Sequence, residues 1–150
     1  MSYFEWFETH ANKHHFVIEK LRAKNYSPKE IIDYFVFENM VVCEPDFCLL
    51  YANKQKCHNK AYLNCFLCAC PHFRFNDEGL RVEKGITCKS ECSIQSKKSS
   101  WFIHDNVAHL DCSACIVPHT KAYITKHFDV DWKKIMKNCC VTSPKVSHSQ

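Results

Sequence analysis

Twelve cysteines in a chain of 150 residues constrain this fold more than any other feature of the sequence. Four of them form two short knuckles with the spacing Cys-x-x-Cys, at Cys65–Cys68 and at Cys112–Cys115. Such a knuckle turns back on itself and can direct both of its sulfurs to one metal ion. We therefore predict that metal–sulfur bonds, rather than a large apolar core, stabilise the middle of this chain.

The candidate ligands are ten cysteines and histidines in or near the two knuckles. In chain order they are Cys48, Cys57, His58, Cys65, Cys68, Cys70, Cys92, Cys112, Cys115 and His119. One tetrahedral zinc site uses four ligands, so this set is large enough for two sites. We expect the two cysteines of each knuckle to share a metal. Cys70 follows the first knuckle too closely to join it, and should point to a second metal or act as a bridging thiolate.

The remaining cysteines and histidines are given ordinary roles. Cys43 and Cys88 have no local partner, and two adjacent cysteines such as Cys139 and Cys140 chelate one ion poorly. His72 is taken as a surface or hydrogen-bonded histidine. His10 and His14 lie on one face of a predicted helix without the His-Glu-x-x-His pattern of a metalloprotease, so a solvated face is expected there.

Charge and composition exclude several classes of function. The formal net charge is +4, but eight metal-bound thiolates and two Zn²⁺ ions would cancel it, so nucleic acid is not favoured as a partner. The chain shows no glycine-rich nucleotide motif, no signal-peptide pattern and no apolar run of membrane-spanning length. We therefore expect a cytoplasmic protein with no membrane association, and in such a reducing compartment dense cysteines are more typical of metal ligands than of disulfides.

The hydrophobic pattern predicts helices at both ends of a single α+β domain. Residues 1–40 should form an N-terminal helical hairpin, whose second helix begins at Ser27-Pro28 and runs to about Asn39. Residues 41–128 should be an irregular, cysteine-rich metal-binding core with short strands at 72–75, 80–82 and 101–104. Pro118 should begin a further helix, 129–141 should form a C-terminal helix capped by Asp129 or Asp131, and 142–150 should be a disordered tail.

The order of these motifs resembles a known family, the cysteine-rich small domain of bacteria and archaea. The resemblance covers roughly residues 44–128. It rests on Cys48, Cys57-His58, Asn64-Cys65-x-x-Cys68-x-Cys70-Pro71, Cys92, Asp111-Cys112-x-x-Cys115 and Pro118-His119. It implies a prokaryotic, metal-binding, zinc-finger-like domain, and the family provides no assigned activity.

Three functions are compatible with this pattern. The first is a module stabilised by two zinc ions that binds another protein or serves an enzyme as an accessory. The second is an iron–sulfur protein with [4Fe-4S] clusters, acting in electron transfer or as a redox subunit, although the ferredoxin spacing is missing. The third, a metalloenzyme, ranks last because no catalytic constellation can be identified. The sequence does not indicate an oligomeric state.

Overall fold

The computed structural model describes residues 2–68, 78–90, 92, 94, 96–98, 100–113 and 115–136. Within these ranges the chain combines helices with a small mixed sheet, which confirms the α+β class. The helices are α1 (Tyr3–Ala23), α2 (Pro28–Tyr34), α3 (Phe37–Cys43), α4 (Lys121–His127) and α5 (Trp132–Ile135), with 3-10 turns at Leu49–Asn53 and Val117–His119. The strands are β1 (Arg81–Glu83), β2 (Ile86–Cys88), β3 (Ser100–His104) and β4 (Val107–Asp111).

Neither the long helix α1 nor any other helix in the described ranges has the length and hydrophobicity needed to cross a membrane.

The first two helices begin with the same capping arrangement. The Ser2 hydroxyl accepts the Glu5 N–H, and the Glu5 carboxylate accepts the Ser2 N–H in return. Ser27 and Glu30 repeat this capping box at the start of α2. Reciprocal capping satisfies two backbone donors that a helix start otherwise leaves unpaired. The predicted start of the second helix is therefore confirmed.

The predicted end of that helix is wrong, because the segment divides into α2 and α3 at Val36. Val36 has extended backbone angles and pairs with Asn64 as an isolated antiparallel bridge. The Phe37 N–H donates to the Leu63 carbonyl at 2.9 Å. Hydrogen bonds to the chain just before the first knuckle thus replace the helical ones, and helical periodicity alone does not reveal this competition.

The C-terminal part also differs from the prediction in detail. Pro118 lies in a 3-10 turn, and α4 begins only after Thr120, whose hydroxyl accepts the Tyr123 N–H. Asp131 caps α5 as predicted, through a bond from the Lys133 N–H. The last part of the predicted 129–141 helix and the predicted disordered tail at 142–150 lie outside the described residues.

The sheet has the order β1-β2-β4-β3 and is built from two hairpins. β1 and β2 are antiparallel, β3 and β4 are antiparallel, and β2 runs parallel to β4. Both hairpins turn through two residues with positive φ, Lys84-Gly85 and Asp105-Asn106, as the tightest hairpin turns require. β4 leads directly into the second knuckle, so the sheet supports Cys112 and the residues after it. The predicted strands at 80–82 and 101–104 correspond to β1 and β3, and the one at 72–75 lies outside the described residues.

One apolar core joins the N-terminal helices to the first knuckle. Leu63, Phe66 and Leu67 are fully buried against residues of α1, α2 and α3. His10 and His14 belong to the same interior, so the predicted solvated face of α1 is wrong. Their rings pack against Trp132, Phe47 and other aromatic side chains, which the spacing of two histidines does not indicate.

Candidate metal centre

Three predicted ligands converge on one point of the structure. The Cys57 Sγ lies 3.0 Å from the His58 Nδ1 and 3.6 Å from the His119 Nε2. All three ligand atoms lie within 4.8 Å of one another, and they are the one group of three or more potential ligands that does so within the described residues. His58 and His119 are buried and Cys57 is half-buried. A single ion can therefore contact all three side chains.

Each histidine is held with its metal-binding nitrogen toward Cys57. The His119 Nδ1–H donates to the Asn64 carbonyl at 2.8 Å, and the His58 Nε2–H donates to the Cys112 carbonyl at 2.8 Å. A carbonyl only accepts, so each bond places the ring proton on the nitrogen that faces away from Cys57. The other nitrogen keeps its lone pair. Metal-binding histidines are typically oriented by a bond of this kind.

The backbone around His119 is fixed by the same neighbour. The Asn64 N–H donates to the His119 carbonyl at 3.1 Å, so the two residues are linked through both main chain and ring. His119 ends the 3-10 turn, whose bond runs from its N–H to the Ile116 carbonyl at 2.9 Å. The ring is thereby positioned before any ligand binds.

Further thiols surround Cys57. Burial raises the pKa of the Cys57 thiol to about 12, and the nearby thiols of Cys68, Cys48 and Cys112 raise it further. Burial likewise raises the pKa of Cys65 to about 12, with Cys57 and Cys48 adding to the shift. Packed thiolates repel one another in a dry interior, so these groups are neutral at pH 7 unless a cation replaces their protons. The donor set therefore fits a metal dication.

Both knuckles adopt the same turn, but their cysteines do not all converge on one point. The Cys68 N–H donates to the Cys65 carbonyl at 3.3 Å, and the Cys115 N–H donates to the Cys112 carbonyl at 3.0 Å. The thiol of Cys68 raises the pKa of Cys57, and the thiols of Cys57 and Cys48 raise the pKa of Cys65. The predicted ligand Cys70 lies outside the described residues.

Cys115 lies beside a different thiol, that of Cys92. The Ser96 hydroxyl is 3.2 Å from the Cys115 Sγ, and the Ser96 N–H donates to the Cys92 Sγ at 3.2 Å. Both thiols also raise the pKa of Tyr123, after the larger effect of burial. Cys92 and Cys115 thus form a second pair, bridged by one serine.

Asp111 shapes the turn before the second knuckle. Its carboxylate accepts the Ser113 N–H at 3.0 Å and the Ser113 hydroxyl at 2.7 Å. These contacts form the turn that leads from β4 into the knuckle. They hold the Cys112 carbonyl where His58 donates to it.

Asn64 is the residue near the site whose role sequence reasoning missed. Its side chain is fully buried and donates to the Ile32 carbonyl at 2.8 Å while accepting the Phe66 N–H at 2.9 Å. It therefore joins α2, the first knuckle and the His119 ring. The one signal in the sequence is its position directly before Cys65, which does not reveal those partners.

Tyr51 was also missed. Its ring is buried, and the pKa of its hydroxyl is raised by burial and further by the adjacent thiols of Cys65, Cys68 and Cys48. Tyr51 lies in the 3-10 turn at Leu49–Asn53.

Replacing Asn64 by Ala should destabilise the protein by about 1–3 kcal/mol, because it leaves the buried Phe66 N–H without its acceptor and removes one of the two hydrogen bonds to the Ile32 carbonyl. Asn39→Ala is the matched control: its side chain also donates to a carbonyl at 2.9 Å, but at the surface. Denaturant unfolding of the two variants measures the difference. Equal stability of the two would show that the buried network around Asn64 is unimportant.

Comparisons with protein-family models, with curated proteins and with solved structures found no match to this chain. The geometry of the site is therefore the basis for assigning a function.

Proposed function

We propose that this protein binds metal at Cys57, His58 and His119, and that the metal is structural zinc. The observation that carries the proposal is the convergence of one sulfur and two imidazole nitrogens within 4.8 Å, with both rings oriented by backbone carbonyls. Zinc binds sulfur and imidazole nitrogen together in tetrahedral sites. Cys112, Cys68 and Cys48 are the candidates for the fourth ligand, since each of these thiols raises the pKa of Cys57, although none of them belongs to the group within 4.8 Å.

A second zinc ion is part of the proposal. The pairing of Cys92 with Cys115 through Ser96 supports it, because these thiols lie together apart from the first group of three ligands. With closed sites of this kind the metals hold the fold, and the protein would act as a binding or accessory module for another protein. The cytoplasmic location, the partner protein and membership of the cysteine-rich small domain remain predictions from the sequence.

One observation favours the alternative of an iron–sulfur protein. Cys48 and Cys68 raise the pKa of the Cys57 thiol, and Cys48 and Cys57 raise the pKa of the Cys65 thiol, so four thiols interact electrostatically in this region. Four cysteines are the usual ligands of a [4Fe-4S] cluster. The two oriented imidazoles favour zinc instead, because such clusters are held chiefly by cysteine.

Metal analysis of the full chain, purified without oxygen, tests this choice. We expect about two zinc ions per chain, as the two proposed sites require, and no visible absorbance. Iron with acid-labile sulfide and a brown colour would show that the protein is an iron–sulfur protein and not a zinc protein. A protein that contains no metal and takes up none on titration would contradict both.

Zinc binding should release protons. Cys57 and Cys65 have pKa values of about 12 in the folded protein without metal, so both are protonated at pH 7. Each thiol that becomes a ligand must lose its proton, and rising pH therefore strengthens binding. For every proton released, affinity should increase about tenfold per pH unit.

Calorimetric titration with zinc in buffers of different ionisation enthalpy measures the number of protons released on binding. We expect at least one proton to be released when zinc binds the first site, from Cys57. A titration that releases none would mean that only neutral ligands bind the metal, and the thiol ligands would be wrong.

A further inference from the structure

Two side chains hold the first knuckle through the backbone of Phe66: one bonds the Phe66 N–H and the other bonds the Phe66 carbonyl. The Asn64 Oδ1 accepts the Phe66 N–H at 2.9 Å. On the other side, the His14 Nε2–H donates to the Phe66 carbonyl at 3.0 Å, across 52 residues of chain. Phe66 lies inside the knuckle, directly after Cys65. Its backbone orientation therefore determines how the Cys65 and Cys68 sulfurs are presented.

His14 occupies a position in which an aromatic hydrocarbon ring would pack as well. Its ring is 0% exposed, stacks on Phe35 at 5.0 Å between ring centres and meets Phe66 edge-on at 4.7 Å. Its Nδ1 is buried and has no hydrogen-bond partner among the described residues. An unpaired buried acceptor costs about 1–3 kcal/mol, so an imidazole is a poor choice for packing alone. Its one productive polar contact is the bond to Phe66.

The bond does not depend on pH near neutrality. Burial, with a smaller effect from His10, lowers the pKa of His14 to about 3. The ring is neutral above that value and carries one N–H, which the Phe66 carbonyl places on Nε2.

We propose that His14 is a positioning residue of the metal centre, which holds the Cys65–Cys68 knuckle in its metal-binding conformation from helix α1. The inference rests on the proposed function with Cys68 as the fourth ligand of the first zinc ion, because the knuckle then supplies one of the bonds to the metal. It adds a coupling between two parts of the chain: α1 docks more firmly when metal is bound, and metal binds more firmly when α1 is docked. Thermodynamic linkage makes the two effects equal.

Three full-length variants test this role. His14→Phe keeps a ring among the aromatic neighbours and removes the donor, while His14→Gln keeps a donor at a similar reach. His15→Phe is the matched control, since it makes the same change on the exposed side of α1. The readouts are zinc affinity by chelator competition and the absorption spectrum of the cobalt-substituted protein, which reports the geometry of the cysteine ligands.

We expect His14→Phe to bind zinc about tenfold more weakly, as loss of a partner that orients a ligand does, with altered cobalt bands. His14→Gln should recover most of the affinity, and His15→Phe should match the wild type. Unchanged affinity and cobalt bands in a folded His14→Phe would overturn the proposal. Equal losses in His14→Phe and His14→Gln would also overturn it, because packing rather than donation would then be responsible.

A measurement on the wild type keeps the test valid even if His14→Phe does not fold. In nitrogen-resolved NMR spectra of the zinc-loaded protein, the His14 Nε2–H should be protected from solvent exchange, and chelation should remove at least 90% of that protection. Protection that chelation leaves unchanged would overturn the coupling. If the wild type binds no metal at all, the proposed function itself fails, and that result appears before any variant is compared.

Discussion

Removal of the metal under reducing conditions should lower the melting temperature by at least about 15 °C and unfold the middle of the chain. Structural zinc contributes about 10–16 kcal/mol of apparent binding free energy in small zinc-bound folds, which matches the whole stability of a typical domain. A loss of 5 kcal/mol would already produce a shift of this size. Circular dichroism and thermal melting, before and after chelation, measure the effect.

The core explains why the loss should spread beyond the ligands. Leu63, Phe66 and Leu67 are fully buried beneath the N-terminal helices, and they belong to the segment that carries Cys65 and Cys68. Without metal that segment is left with buried thiols, and its apolar residues lose their fixed positions. Added zinc should restore the original melting curve. Curves that coincide with and without chelator would show that the metal has no structural role.

The second large effect is expected from Cys57→Ser. Cys57 is the only sulfur in the group with His58 and His119. Its pKa is also raised by the thiols of Cys68 and Cys48. Its loss should weaken zinc binding by more than about 100-fold, because removing merely the hydrogen-bond partner of a ligand costs about 10- to 100-fold. Zinc affinity by competition with a coloured chelator measures this change.

Cys43→Ser is the matched control for that variant. Cys43 is an exposed free thiol at the end of α3, distant in sequence from both knuckles. The same sulfur-to-oxygen change there should leave zinc affinity and stoichiometry unchanged. Similar losses in the two serine variants would mean that zinc binds thiols without preference, and the proposed centre would be wrong.

The sequence predicts those structural features, such as helix caps, that depend only on residues close by in the chain. The prediction of Ser27 as a cap is confirmed, and of the two caps predicted for the last helix, Asp129 or Asp131, the structure shows Asp131, because a cap depends on the two or three residues that follow it. The break at Val36 was not predicted, since its cause is a pairing with Asn64. The prediction that His14 is exposed to solvent is wrong for the same reason. Its partner carbonyl is 52 residues away along the chain, and no spacing within α1 indicates that partner.

In the candidate site too, the sequence predicts the residue types but not the contacts between distant parts of the chain. Residue type and knuckle spacing were enough to include Cys57, His58 and His119 among the ligands. They did not show that these three converge, because His119 is 62 residues from Cys57 and reaches it through a turn held by Asn64. The expectation that Cys112 and Cys115 share a metal stays a prediction, and the contacts of Ser96 with both Cys92 and Cys115 are not indicated by any spacing in the sequence.

Anomalous diffraction at the zinc absorption edge, from crystals of the zinc-loaded full chain, tests the central claim most directly. We predict a peak within bonding distance of the Cys57 Sγ, the His58 Nδ1 and the His119 Nε2, at about 2.3 Å from sulfur and 2.0–2.1 Å from nitrogen. Strong peaks confined to other cysteines, with both imidazoles unbound, would contradict it.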